Sequence, residues 1–113
     1  MWHVLFHPDA TAELDGLPAR ERVALLHAVD KLSALGPTLP FPHQSSVQGV
    51  EDLRELRPRA GRSPWRAFYR RIGDVFVIAA VGPEPAVNKR GFDRATQEAV
   101  TRLVDVVAEG GTS

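Results

Sequence analysis

Seven arginines fall between Leu53 and Arg71, at positions 54, 57, 59, 62, 66, 70 and 71, against a single acid, Glu55. A guanidinium is a permanently charged fork of donors that matches phosphate oxygens two at a time. A stripe of this density suits gripping a polyanion and neutralising charge that develops on a reacting phosphate. The stripe is local, because the 14 basic and 14 acidic residues of the 113-residue chain cancel. Residues 1–53 supply the balance, with seven acids against Arg20, Arg22 and Lys31. The charge is therefore segregated, and the pattern predicts an anion-facing sheet carried by a more acidic helical half.

Strand alternation over 65–72 puts Arg66, Phe68, Arg70 and Ile72 on one face and Trp65, Ala67, Tyr69 and Arg71 on the other. A guanidinium on a partly buried face needs a partner, since an unpaired buried charge is costly. Two are available: Glu55 on the neighbouring strand, which can pair Arg66 or Arg57, and a phosphate from outside. One glutamate cannot satisfy seven arginines, so several must face solvent or a polyanion. Arg57, Arg59, Arg62 and Arg70 are the candidate phosphate contacts within the stripe. A second basic cluster, Asn88-Lys89-Arg90, precedes the last helix and Arg94 lies one turn into it. Lys89 and Arg90 beside Arg66 would outline a concave basic groove. Tyr69, the only tyrosine, either stacks on a nucleobase there or sits at an edge with its hydroxyl in water.

The histidines add less. His3 and His7 lie on one side of a short strand but have no acidic or cysteine partner to complete a metal site. His27 falls inside a helix and reads as half-buried and structural. His43, in a polar connector, is placed as a mobile acid or base near a groove. Cysteine is absent, which excludes disulfides and thiol catalysis and fits a reducing compartment. No phosphate-binding glycine loop, zinc-finger spacing or Gly-x-Ser-x-Gly elbow occurs, and no cofactor is expected. The N-terminus lacks a signal-peptide pattern, and the longest apolar run, Val75 to Val81, is too short to span a bilayer, so a soluble cytoplasmic protein with no membrane partner is expected.

These residues must be positioned by a small α+β domain. Trp2, Val4 and Phe6 alternate as an opening strand. Ala10, Leu14 and Leu17 mark a short helix from Pro8 to about Asp15, ended by Gly16. Leu25, Ala28, Val29, Leu32 and Leu35 form the stripe of a second, closed by Gly36-Pro37. The prolines at 37, 40 and 42 and the run His43-Gln44-Ser45-Ser46 predict an extended connector without a strand. Asp52–Arg57, Trp65–Ile72 and Val75–Val81 follow as a three-stranded antiparallel meander, with Gly73-Asp74 as a tight turn. The last of these is apolar on both faces and is expected to be central, with a C-terminal helix bearing Phe92, Ala95, Ala99 and Leu103 packed on the sheet. Residues 1–109 read as one domain and 110–113 as a flexible tail.

The runs Leu53-Arg54-Glu55-Leu56-Arg57, Trp65-Arg66-Ala67-Phe68-Tyr69 and Val77-Ile78-Ala79-Ala80-Val81, then a basic turn into a helix with Ala99 and Arg102, have a known parallel. Over residues 39–103 the sequence resembles the phage-derived Gp49-like, HigB-like branch of the RelE/ParE toxin superfamily. The resemblance implies a RelE-like fold with an N-terminal strand and helical hairpin. It implies the toxin of a type II toxin–antitoxin system, partnered by a helix-turn-helix (HigA-like) antitoxin and cutting mRNA on the ribosome without metal. Arg66 matches the strand arginine used on the RNA phosphate, and Arg57 the arginine closing the Glu-Leu-Arg motif. The branch's Phe-x-Lys-Lys run has no direct match; Ala86-Val87 stand near its place and Asn88-Lys89-Arg90 come slightly later. Because an arginine makes a poor general base, Lys89, His43 or Tyr69 would have to move the proton, or the ribosome would supply the missing positioning. The alternatives are a ParE-like gyrase inhibitor, a degenerate phage-derived binding protein without nuclease activity, or a structural phage component.

Overall fold

Alternating apolar residues at 2, 4 and 6 form strand β1, His3–Phe6. The chain then turns into α1, Pro8–Asp15, where proline occupies the first turn and the His7 Nδ1 caps by accepting the Asp9 N–H at 3.1 Å. In this computed structural model the described residues are 1–111, with side chains through Val107. Helix α2, Ala19–Leu35, buries Ala24, Leu25, Ala28 and Leu32 and stops at Gly36. Only glycine fits there: φ is +56° and a Cβ would fall 2.3 Å from the Trp2 Nε1. Trp2 is drawn to that spot by the Ser33 carbonyl, which accepts its N–H at 2.8 Å, and by the Ser33 hydroxyl, which donates back to its carbonyl at 2.8 Å.

Four further strands complete the sheet: β2, Gln44–Ser46; β3, Arg54–Leu56; β4, Trp65–Ile72; and β5, Val75–Pro83. Their order is β1-β5-β4-β3-β2, with β1 parallel to β5 and all other pairs antiparallel. The meander, the helical hairpin and the helix packed on the sheet follow the sequence reading. Three details differ. The polar connector contributes an edge strand, β2, because Gln44, Ser45 and Ser46 pair with Leu56, Glu55 and Arg54. β4, not β5, takes the middle position. β3 is shorter than Asp52–Arg57, since Asp52 turns with φ +59° and Arg57 leads into a tight turn at Pro58–Gly61.

The two faces of the sheet carry separate clusters. Leu56, Ala67, Tyr69, Phe76 and Ile78 pack with α1 and α2. Leu53, Phe68, Val77 and Ala80 pack with Ala95, Ala99 and Leu103 of α3, Lys89–Gly111. Thr112 and Ser113 of the expected tail lie outside the described residues. Among the described residues no helix is long and apolar enough to cross a membrane.

A bulge interrupts the pairing of β4 with β5. Phe68 pairs with Ala80 and Tyr69 with Ile78, so Ala79 drops out of register. β1 ends where Phe6 meets Ile78, which leaves the next stretch of β5 without a strand on the side away from β4. Side chains take over the missing bonds. The Ala79 carbonyl accepts from Arg102 Nη1 at 2.8 Å and the Val81 N–H donates to Glu13 Oε1 at 3.0 Å. Arg102 and Glu13 bind each other through two bonds, at 3.0 and 2.9 Å. The hydrogen bond that Arg102 donates to Glu13 is the largest influence raising the Arg102 pKa, opposed by burial.

Candidate functional site

Pairing across β2, β3 and β4 brings Ser45, Glu55 and Arg66 onto the face that α3 covers only in part. Arg66 is 4% exposed and its guanidinium is held on several sides. Nη1 donates to the carbonyls of Ser63 and Trp65 at 2.7 and 2.9 Å, and Nη2 donates to Glu84 Oε2 at 2.8 Å. Nε stands 3.7 Å from Glu55 Oε1 and makes no hydrogen bond. Burial lowers the Arg66 pKa, while Glu55 and then Glu84 pull it back up. Glu55, 5% exposed, also accepts from Arg57 Nε at 3.0 Å and from the Ser45 hydroxyl at 3.4 Å.

The result is a chain of alternating charge, Arg57, Glu55, Arg66, Glu84, running from a half-exposed guanidinium at one end to a half-exposed carboxylate at the other. Its formal charges cancel. Arg57, stacked over Phe41 at 5.4 Å, is the member whose guanidinium can turn to an external anion with least loss of burial. Arg66 is the buried anchor that fixes both carboxylates.

The sequence alone suggests that Arg66 reaches into a groove shared with Lys89 or Arg90; its guanidinium is instead committed to Glu84 and two carbonyls inside the fold. Lys89 donates to Asp93 on its own helix, and Arg90 is exposed with no side-chain partner among the described residues. Tyr69 is not a stacking platform. It is 2% exposed, lies on the opposite face from Arg66, and meets Phe76 edge-on at 5.7 Å. Burial pushes its hydroxyl up to about 12, so it is a poor proton carrier at neutral pH. The backbone of His43 is tied on both sides, its N–H donating to the Pro40 carbonyl at 3.0 Å and its carbonyl accepting the Arg57 backbone N–H at 2.8 Å, and its side chain lines a groove beside α2. His27 is exposed rather than half-buried.

The remaining arginines of the stripe also find partners in the chain. Arg54 donates to Gln44 Oε1 at 3.0 Å, and Arg62 to the Arg59 carbonyl at 3.2 Å. Arg70 caps the carbonyls of Asp52 and Glu51, each at 3.2 Å, and Arg71 lies 4.9 Å over the Trp2 ring while bonding the Gly73 carbonyl. Arg59 pairs with Glu21 on α2. That pairing holds a left-handed turn in which Arg59 and Ala60 have φ of +53° and +56°, each costing about 1 kcal/mol for a residue with a Cβ. Arg94 lines a shallow cleft beside the start of α3 with Trp65 and Glu98.

Glu84 is the functional-site residue that sequence reasoning missed. It stands in the Gly82-Pro83-Glu84-Pro85 break, whose composition signals only a turn, and 18 positions separate it from Arg66. The Gly73-Asp74 turn was the available signal, since a strand folding back from it brings the residues past Val81 to the end of β4 that carries Arg66.

A family model described as phage-derived protein Gp49-like matches residues 12–81. No match among curated proteins was found. Among solved structures, a mutant of the E. coli toxin RelE in the free state superposes with a TM-score of 0.64 at 18% identity, covering 89% of this chain and 96% of that one. The toxin–antitoxin complex RelBE2 from Mycobacterium tuberculosis gives 0.56 at 23% identity, with 74% and 98% covered. The archaeal RelE–RelB complex from Pyrococcus horikoshii gives 0.55 at 22%, with 73% and 93% covered. At these identities the likeness establishes the fold.

Proposed function

We propose, from the premise that the chain belongs to the phage-derived Gp49-like family and has the RelE fold, that it is the toxin of a type II toxin–antitoxin pair and cleaves mRNA on the ribosome. The observation that carries this reading is the half-exposed Arg57 guanidinium at the open end of the buried Glu55–Arg66 pair.

The chemistry needs no metal. The 2′-hydroxyl of one nucleotide attacks the adjacent phosphorus as its proton passes to a base, the P–O5′ bond breaks as the leaving 5′-oxygen takes a proton from an acid, and a 2′,3′-cyclic phosphate and a 5′-hydroxyl are left. Arg57 is the residue for charge developing on the phosphorane, with Arg59 and Arg62 on the same connection as further phosphate contacts. Lys89, Arg90, Arg70 and Arg94 would hold neighbouring phosphates. His43 and the two carboxylates are the side chains available for proton movement. The partner in this reading is a helix-turn-helix, HigA-like antitoxin, and the site of action is the cytoplasm.

A second reading is favoured by the charge cancellation along Arg57, Glu55, Arg66 and Glu84: a ParE-like or otherwise binding-only protein without nuclease activity. Inducible expression, with growth followed and RNA 5′ ends mapped in translating cells, separates the two. Growth arrest with new 5′ ends inside coding sequences supports the nuclease. Arrest without new ends supports the binding protein, and no arrest removes the toxin reading.

A further inference from the structure

A cavity of about 420 Å³ lies against the face of the sheet opposite Arg66, between Gly36 and Pro37 at the end of α2 and the strands from β2 to β5. The register sets Arg54 opposite Tyr69 and Arg71 opposite Phe76, so these four side chains stand together on that face. The cavity holds an unsatisfied group. Tyr69 is 2% exposed, yet its hydroxyl has no hydrogen-bond partner among the described residues. Buried hydroxyls are normally paired. This one is not sealed in, so it opens onto the cavity, where Arg54 is the charge that acts on it.

The charge around it is one-sided. Arg54, Arg70 and Arg71 line the cavity, and none forms an ion pair among the described residues, whereas Arg57, Arg59 and Arg66 each meet a glutamate. Against these three guanidinia stands one lining carboxylate, the exposed Asp52. Arg54 spends one donor on Gln44 and Arg71 one on the Gly73 carbonyl, which leaves further N–H groups unspent on both. Phe76 and Pro37 add an apolar wall. An excess of two positive charges beside a neutral phenol donor suits a dianion better than a single carboxylate. The volume is that of a small-molecule site. A phosphodiester inside an RNA strand fits poorly, since it carries one charge and is flanked by nucleotides on both sides.

We propose that this cavity binds a small molecule with a terminal phosphate, its oxygens accepting from the Tyr69 hydroxyl and from Arg54, with Arg71 adding charge at the rim. The site is independent of the toxin reading, since Glu55 and Arg66 lie on the other face of the sheet. Arg70, given a neighbouring phosphate in that reading, keeps its bonds to the carbonyls of Asp52 and Glu51 and is not one of the contacts.

Isothermal titration calorimetry of the whole chain in a phosphate-free buffer, with inorganic phosphate and with ribose 5-phosphate as probes, tests this. Both should bind, and acetate should bind at least about tenfold more weakly. Tyr69→Phe and Arg54→Gln should each weaken binding about tenfold, the loss of one charge-assisted hydrogen bond. The melt without ligand should stay within a few degrees of the parent, because one substitution removes an unpaired hydroxyl and the other an exposed side chain. Phosphate should also shift the near-ultraviolet absorbance of Tyr69, the only tyrosine. No binding of either probe up to about 10 mM overturns the proposal. So does unweakened binding in either variant, which makes the anion an adventitious guest of other arginines, or acetate binding as tightly as phosphate. A short RNA without terminal phosphates that binds the parent and neither variant would assign the cavity to an RNA path and overturn it as well. A chain that binds phosphate here yet leaves growth and RNA intact fails the toxin reading alone.

Discussion

Glu55 and Arg66 occupy adjacent strands with 3.7 Å between Oε1 and Nε, near enough to attract and too far to share a hydrogen bond. The carboxylate leans toward Arg57, where it gains bonds at 3.0 and 2.9 Å, and the guanidinium leans toward Glu84. The pair is thus held from its outer ends, and removing either end disturbs both members.

Arg66→Ala should therefore unfold the protein more than it disables a site. It takes the cation from Glu84, removes the nearby charge facing Glu55 and leaves the Ser63 and Trp65 carbonyls without their donor, a loss on the order of 3–5 kcal/mol for a broken buried pair. Urea denaturation measures it. A variant within about 1 kcal/mol of the parent would show that the cluster is a site poised for an outside ligand rather than an anchor.

Arg57→Ala should do the opposite. Its guanidinium is half-exposed but holds the buried Glu55, so stability should fall by about 1–3 kcal/mol, while on the nuclease reading growth inhibition drops by tens to hundreds-fold through loss of phosphorane stabilisation of about 2–3 kcal/mol. Growth assays beside a thermal melt separate the two effects. Undiminished toxicity would move the phosphate contact elsewhere.

Tyr69 sets an alkaline limit. Its hydroxyl sits near 10 in the unfolded chain and about 12 in the fold, so above pH 10 the unfolded chain has released a proton that the folded one keeps. Stability from this group is fully present below pH 10 and is lost as pH rises towards 12, on the order of 2–3 kcal/mol across the window. Being the only tyrosine, it can be followed alone by ultraviolet absorbance. Tyr69→Phe should flatten the alkaline limb and leave growth inhibition unchanged.

Gly82 fixes how closely α3 approaches the sheet. A Cβ there would lie 2.5 Å from the Cβ of Ala95, so Gly82→Ala should cost about 1–3 kcal/mol by forcing helix and strand apart. Equilibrium unfolding checks this. A neutral substitution would mean that α3 shifts freely on β5.

Where local chemistry repeats, the sequence is readable. The i, i+3, i+4 stripe of α2 and its Gly-Pro stop mark its extent, and strict spacing between the Pro64 and Gly73 breaks marks β4. Alternation alone places Arg66 and Tyr69 on opposite faces, and the fold keeps them there. β2 is hidden because three polar residues among prolines carry no alternation, and only pairing with β3 makes them a strand. The fate of the arginines is hidden for a different reason: Glu21, Glu84, Gln44 and the carbonyls of Glu51 and Asp52 are brought to them by topology, and nothing in their own neighbourhoods marks them as partners.

The clasp of Glu13 with Arg102 gives the domain an order of assembly. Synthesis delivers Glu13 a full 89 positions before Arg102, so from Ala79 until Arg102 the Ala79 carbonyl has no side-chain donor, and Glu13, which the Val81 N–H can already reach, has no guanidinium to hold it. A nascent chain can form its helical hairpin and meander, yet its sheet keeps an open margin able to recruit a foreign strand. Closure waits for α3. Helix α3 acts as a latch, and a chain truncated before Arg102 is expected to aggregate where the closed sheet does not.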